Sequence, residues 1–178
     1  MTNVQLSRRA FFGAARPGQG EVVRPPWALP EREFQDACTR CNACVDICPT
    51  GLLVKGAGAY PEADFTPGRA PAGCTFCGDC LTACKDMALR QEPEQAPWAL
   101  HAVFTADCLA TQNVVCRTCG ESCEVSAIRF PPMLGGVAKP LLDESACTGC
   151  GACLADCPTL AIRITPSTFP SFALRGAA

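Results

Sequence analysis

A chain of 178 residues suffices for one domain or two small ones, and sixteen of those residues are cysteine. At about 9% of the chain, that content points to a disulfide scaffold or a metal protein. It excludes an ordinary greasy core, because part of the 48% hydrophobic fraction is thiol. The formal charge of −2, which becomes more negative once the thiols are ionised to hold metal, argues against nucleic acid as a partner, and no apolar run approaches the length of a bilayer span.

In chain order, residues 1–32 come first, with Arg8, Arg9, Arg16, Arg24 and Arg32 against Glu21 and Glu31. This basic segment is expected to be flexible. Within it, Ser7-Arg8-Arg9-Ala10-Phe11-Phe12 looks like the core of a twin-arginine export signal. The apolar stretch of roughly 7–15 residues that a signal needs is cut short at Gly13-Ala14-Ala15-Arg16-Pro17-Gly18. The expectation is an uncleaved segment on a cytoplasmic protein.

Four cysteine groups follow: Cys38-x2-Cys41-x2-Cys44-x3-Cys48-Pro, Cys74-x2-Cys77-x2-Cys80-x3-Cys84-Lys, Cys108-x7-Cys116-x2-Cys119-x3-Cys123-Glu and Cys147-x2-Cys150-x2-Cys153-x3-Cys157-Pro. Residues 52–65, broken by Gly56 to Pro61, read as a hairpin joining groups one and two. Residues 127–142, broken by Pro131, Pro132, Gly135 and Gly136, read as a second hairpin joining groups three and four. Residues 90–97 are the best linker candidate, residues 98–105 a strand entering group three, and residues 161–165 a closing strand. The expected fold is α+β: two tandem bacterial-type two-cluster ferredoxin lobes, at 33–92 and 93–168, behind a flexible segment 1–32 and before a loose C-terminus at 169–178.

The spacing carries the chemistry. Cysteines at i, i+3 and i+6 let a tight loop wrap one face of a [4Fe–4S] cubane, with small residues (Asn42-Ala43, Gly78-Asp79, Gly151-Ala152) keeping the backbone close. The fourth cysteine starts a short helix and, in a two-cluster ferredoxin, ligates the cluster of the other group. Four clusters are therefore expected. Pairing groups in sequence gives the sets Cys38, Cys41, Cys44, Cys84; Cys74, Cys77, Cys80, Cys48; Cys108, Cys116, Cys119, Cys157; and Cys147, Cys150, Cys153, Cys123. Short connections favour that order, with a nested pairing of one with four and two with three as the alternative. Each oxidised site adds −2, taking the loaded chain to about −10.

Disulfides fit poorly, since the spacings are too short and regular. Zinc sites use paired C-x2-C units, not three cysteines in succession plus a fourth. Group three is the weak member, and its alternative is a degraded site with Cys108 unligated. His101 is the only histidine and sits in a strand-like stretch, so a structural role is expected. Trp27 and Trp98, each after a proline, read as packing anchors. No nucleophile–base pair or phosphate-cradling loop is present, and an electron-carrying protein is expected in place of an enzyme.

The order of twin arginine, Arg24-Pro25-Pro26-Trp27, CTRCNAC, GAGAYPE, CTFCGDC, the Cys108-Leu109-Ala110…Val115-Cys116-Arg117 loop and CTGCGAC resembles the NapF family. These are ferredoxin-type accessory proteins of bacterial periplasmic nitrate reductase systems. The resemblance runs from about residue 7 to 165. It implies clusters at all sixteen cysteines and, as partner, the molybdenum-containing catalytic subunit before its export, with cluster assembly or redox poise as the task. Lys85 and Glu124, where a proline commonly follows the last cysteine, depart from the motif and bear on Cys84 and Cys123. The other reading is an electron carrier between a quinol-oxidising partner and a reductase. The Arg8, Arg9 and RPPW segment, for which a carrier has no need, favours the accessory role.

Overall fold

The computed structural model describes residues 22–66, 68, 72–93 and 95–166. The arginine pair, residues 1–21 and residues 169–178 lie outside them. The elements are short: α1 (Glu31–Ala37), α2 (Ala43–Asp46), β1 (Leu53–Lys55), β2 (Pro61–Ala63), α3 (Asp79–Ala83), β3 (Leu100–Phe104), α4 (Thr118–Glu121), β4 (Ile128–Arg129), β5 (Leu141–Leu142), α5 (Ala152–Ala155) and β6 (Ile162–Pro166). With so little regular structure, the cysteine loops themselves form much of the interior.

Each expected hairpin is an antiparallel pair. β1 and β2 register Leu53 with Ala63, and β4 and β5 register Ile128 with Leu142. The strand entering group three pairs antiparallel with the one leaving group four, His101 opposite Thr165. Buried residues form two cores. The first gathers Trp27, Phe34, Leu52, Leu53, Ala88 and Leu89 with Cys44 and Cys80. The second gathers Ala102, Ile128, Leu154 and Ile162 with Cys119 and Cys153. Phe65 packs against both.

Residues 22–32 are not the flexible segment the sequence suggests. They occupy in the first half the place that β3 holds in the second. There, the chain entering the first cysteine loop pairs with the chain leaving the last: Ala28 bridges Leu89, Leu29 N donates to Ala88 O at 3.1 Å, and Arg90 N donates to Trp27 O at 2.9 Å. Pro25 and Pro26 lack N–H donors, so no regular ladder forms and no strand is visible in the sequence. Arg24 fastens the segment further. Its guanidinium donates to Glu31 at 2.6 and 2.8 Å and to Pro61 O at 3.3 Å, and lies 5.1 Å over Phe34 and 5.4 Å over Tyr60. Basic composition had masked a segment fixed by packing.

The linker region is likewise tied down at its end. Trp27 N donates to Pro97 O at 3.0 Å, and Trp98 Nε1 donates to Arg24 O at 2.9 Å. Trp98 packs edge-on to Phe65 and Phe76, with ring centroids 5.5 and 5.7 Å away. Both tryptophans are anchors, as their positions suggest, and both serve the first core. His101 is buried in β3 with Nε2 3.4 Å from Thr165 Oγ1.

The two halves meet through backbone. Cys74 N donates to Cys150 O at 2.7 Å. A Cβ on Gly73 would collide with Ala152 N and Cys150 O, and one on Gly151 would stand 2.5 Å from the Phe65 ring. Glycine is required at Gly73 because the loops of groups two and four lie in direct contact, and at Gly151 because the Phe65 ring lies against that loop.

Candidate iron–sulfur sites

The backbone around the cysteines repeats more faithfully than the sequence. In groups one, two and four, the second spacer residue of the first C-x2-C is left-handed: Arg40 (φ 61°), Phe76 (φ 53°) and Gly149 (φ 69°). So is the first spacer residue of the second: Asn42 (φ 61°), Gly78 (φ 82°) and Gly151 (φ 82°). Such alternation of hand turns successive N–H groups toward one concave side, the arrangement that cradles anions and cluster sulfurs. Asn42 tolerates the conformation because its short amide bonds locally, Nδ2 donating to Arg40 O at 2.7 Å.

The exit turns repeat in all four groups. Gly51, Met87, Ser126 and Leu160, each three residues past the fourth cysteine, have φ of 64°, 56°, 52° and 53°. Each donates its N–H back to that cysteine's carbonyl, at 3.2, 3.4, 2.9 and 3.2 Å. Lys85 and Glu124 therefore leave the turn intact where proline stands in the other groups.

These loops bring the cysteines together in fours. Cys38, Cys41, Cys44 and Cys84 line one cavity of about 340 Å³, mouth included. Cys48, Cys74, Cys77 and Cys80 line a second of about 350 Å³. Cys108, Cys116, Cys119 and Cys157 line a third of about 340 Å³. In the fourth place, burial above all, then the negative potential of Cys150, Cys147, Cys119 and Cys123, pushes the Cys153 thiol up to about 12. Cys44 is pushed up to about 12 by burial and then by Cys84, Cys38, Cys80 and Cys41. Cys119 reaches about 11 through burial, then Cys108, Cys116 and Cys157. Each group of three thus stands beside the fourth cysteine of the neighbouring group.

The stretched loop of group three folds back on itself. Thr111 N and Gln112 N donate to Cys108 O at 3.0 and 3.2 Å, and Thr111 Oγ1 donates to it at 2.7 Å. The extra residues bulge outward, leaving Val115 77% exposed, while Cys108 stays at the cavity wall. Arg117, at the position that is left-handed in the other groups, has φ −134°. The altered approach to Cys116 removes the need for glycine there.

These sites suit a cluster better than a single ion. Among the described residues no three His, Cys, Asp or Glu side chains converge tightly enough to hold one metal ion. Each iron of a cubane takes one thiolate, so four cysteines spread around an open space are what a cluster needs. A cationic cluster core offsets the charge of thiolates gathered this way as their protons leave. Donors toward sulfur are already placed. Phe76 N donates to Cys74 Sγ at 3.4 Å, Ala127 N to Cys123 Sγ at 3.3 Å and Ala161 N to Cys157 Sγ at 3.2 Å. Burial pushes the Cys48 thiol up, but hydrogen bonds from Leu53 N–H, the Thr50 hydroxyl and backbone and Leu52 N–H outweigh it and leave it below the ordinary value.

Three threonines two residues past a cysteine put hydroxyls near sulfur: Thr50 at 3.6 Å from Cys48, Thr118 at 3.7 Å from Cys116 and Thr159 at 3.9 Å from Cys157. Their signal in the sequence is the repeated Cys-x-Thr spacing. The exit-turn residues left no such signal, being Gly, Met, Ser and Leu.

The family described as "4Fe-4S dicluster domain" matches residues 37–88 and 114–161, the second match beginning after Cys108. Loops, cavities and match together define an iron–sulfur electron-transfer protein of the ferredoxin type, holding [4Fe–4S] clusters. Ferredoxin-type protein NapF of Escherichia coli (strain K12) is 39% identical over 89% of this chain and 94% of its own length. NapF of Haemophilus influenzae is 43% identical over 79% of this chain and 77% of its own. The methylamine utilization ferredoxin-type protein MauM of Paracoccus denitrificans is 33% identical over 90% of this chain and 79% of its own. The chain belongs to the NapF family of ferredoxin-type proteins. Among the described residues no helix is long and apolar enough to cross a membrane.

Proposed function

We propose that this chain carries four [4Fe–4S] clusters, in two lobes of crossed pairs, and serves as a cytoplasmic accessory factor for the molybdenum catalytic subunit of periplasmic nitrate reductase before its export. The ligand sets are Cys38, Cys41, Cys44 and Cys84; Cys48, Cys74, Cys77 and Cys80; Cys108, Cys116, Cys119 and Cys157; and Cys123, Cys147, Cys150 and Cys153. The observation that carries the cluster assignment is the gathering of each group of three with its neighbour's fourth cysteine. The identity of the client rests on the NapF relatives. When bound, the clusters supply one-electron chemistry. The protein's own part is to hold the thiolates, aim N–H groups at sulfur and keep bulk water from the cores.

A second reading, a carrier between a quinol-oxidising partner and a reductase, has support of its own. The RPPW segment is consumed by packing, so it no longer argues for client recognition. The Cys74–Cys150 contact also joins the two halves through their cysteine loops.

Two measurements test the proposal. Iron and acid-labile sulfide in anaerobically purified protein should each approach about sixteen atoms per chain, and a value near twelve would remove the Cys108 set. A pull-down with the catalytic subunit still bearing its export signal decides the role. Retention by the full chain supports the accessory reading; failure of both the full chain and one lacking residues 1–21 would leave the carrier.

A further inference from the structure

One buried polar group near the second site has no hydrogen-bond partner among the described residues. Trp27 is 6% exposed, and its indole Nε1 is fully buried without an acceptor. A buried N–H left unpaired forfeits its hydration without a substitute, so native structures rarely keep one without a purpose. The other tryptophan is satisfied, Trp98 Nε1 donating to Arg24 O.

Trp27 lines the cavity bounded by Cys48, Cys74, Cys77 and Cys80. The side-chain acceptors on that wall are these four sulfurs and the hydroxyls of Thr50 and Thr75. The ring is not free to look elsewhere. Its backbone sits at φ 59°, a left-handed conformation that is unfavourable for a bulky residue. It is clamped there by Trp27 N to Pro97 O and Arg90 N to Trp27 O, while the ring packs edge-on to Phe76 at 6.4 Å. A strained, clamped residue that lines a sulfur-bounded cavity and carries a buried donor without a partner among the described residues fits a donor kept for an acceptor held in that cavity.

We propose that Trp27 donates its indole N–H to a sulfur of the [4Fe–4S] cluster held by Cys48, Cys74, Cys77 and Cys80, and thereby raises that cluster's reduction potential. This rests on the cluster assignment above. The reduced cluster carries one more negative charge than the oxidised one, so a donor at sulfur stabilises the reduced form more. Trp27 is then a tuning residue, and the segment that closes the first core also sets one potential within it.

The test uses the holoprotein and Trp27→Phe, which keeps the ring and removes the N–H, with Trp98→Phe as control. Iron and sulfide are counted first, and potentials are then read by electron paramagnetic resonance during dithionite titration. Trp27→Phe should shift one midpoint to more negative potential at unchanged iron content, and Trp98→Phe should shift none. Full cluster content with unmoved potentials in Trp27→Phe would sink the inference alone. Wild-type protein without cluster signals would sink the cluster assignment and the inference with it. Should Trp27→Phe lose its clusters, Trp98→Phe protein labelled with 15N-indole tryptophan decides the matter, Trp27 being its only label. A hyperfine coupling from that nitrogen to a reduced cluster upholds the bond, and its absence refutes it.

Discussion

Asn42, Gly78 and Gly151 do the same backbone task at corresponding places, but with different surroundings. Nothing stands within 4 Å of a Cβ on Gly78, whereas one on Gly151 meets the Phe65 ring. Gly78→Ala should therefore show left-handed strain alone, about 1–2 kcal/mol. Gly151→Ala should cost more, because Phe65 belongs to both cores and must move. The midpoint of cluster bleaching on heating, under anaerobic conditions, should fall further for Gly151→Ala; equal falls would mean that Phe65 yields freely. The Arg24–Glu31 pair gives a pH prediction. The hydrogen bond from Arg24 holds the Glu31 carboxyl below its ordinary value, against an opposing push from burial. A lowered carboxylate contributes stability that is complete above its unfolded value, near about 4.3, and is lost only as pH falls through the folded one. Glu31→Gln should thus cost under about 1 kcal/mol for so exposed a carboxylate, and the gap in heat-bleaching midpoint from wild type should stay constant between about pH 6 and 9. A gap that narrows within that range would implicate another group.

At the scale of elements, the question is how a short helix can serve a neighbouring loop. Each fourth cysteine follows a short helix where the spacing suggests that it starts one, because the helix turn forms between the third and fourth cysteines. α2 packs against α3, and α4 against α5, so the chain leaving each helix turn faces the other group's loop. Ser122 donates to Asp156 across the second pair, one residue before Cys123 and Cys157. Thr39 Oγ1 donates to Asp86 Oδ2 at 2.7 Å across the first. Cys84→Ser should accordingly damage the cluster whose other ligands are Cys38, Cys41 and Cys44, seen as loss of one resonance signal and of up to about four irons. Damage to the Cys74, Cys77 and Cys80 site instead would refute the crossed arrangement. The hairpins and strands were legible from turn residues and apolar runs. The entering segment of the first half was not, because Pro25 and Pro26 erase the strand pattern while Trp27 and Arg24 hold its place by packing.

Across the whole molecule, the decisive feature is the seam. Residues 90–97 read as a linker between two lobes, and Cys74 N to Cys150 O and the Gly73 contact set the loops of groups two and four side by side. Gly73→Val should force those loops apart without touching a thiol. Hydrogen exchange in the peptide covering the Cys74 amide should quicken by about tenfold or more, the loss of roughly one hydrogen bond's net worth, while iron content stays at the wild-type level. Gly136→Ala, at a glycine with only Met133 Cε 3.9 Å away, is the control and should change neither. Unchanged exchange in Gly73→Val would mean that the seam is not a fixed contact.

Cysteine number and spacing alone determined that this chain is an iron–sulfur protein. The reason is chemical: only a multi-iron core asks for three thiolates at such close, even spacing and a fourth four residues further on. Spacing could not say which fourth cysteine meets which loop, whether Cys108 returns to the wall after seven intervening residues, or that RPPW is interior. Those depend on contacts between segments far apart in the chain: Cys44 with Cys84, Cys108 with Cys157, Trp27 with Arg90 and Pro97, Cys74 with Cys150. A local pattern records what each loop can bind, and tertiary packing decides which loops share it.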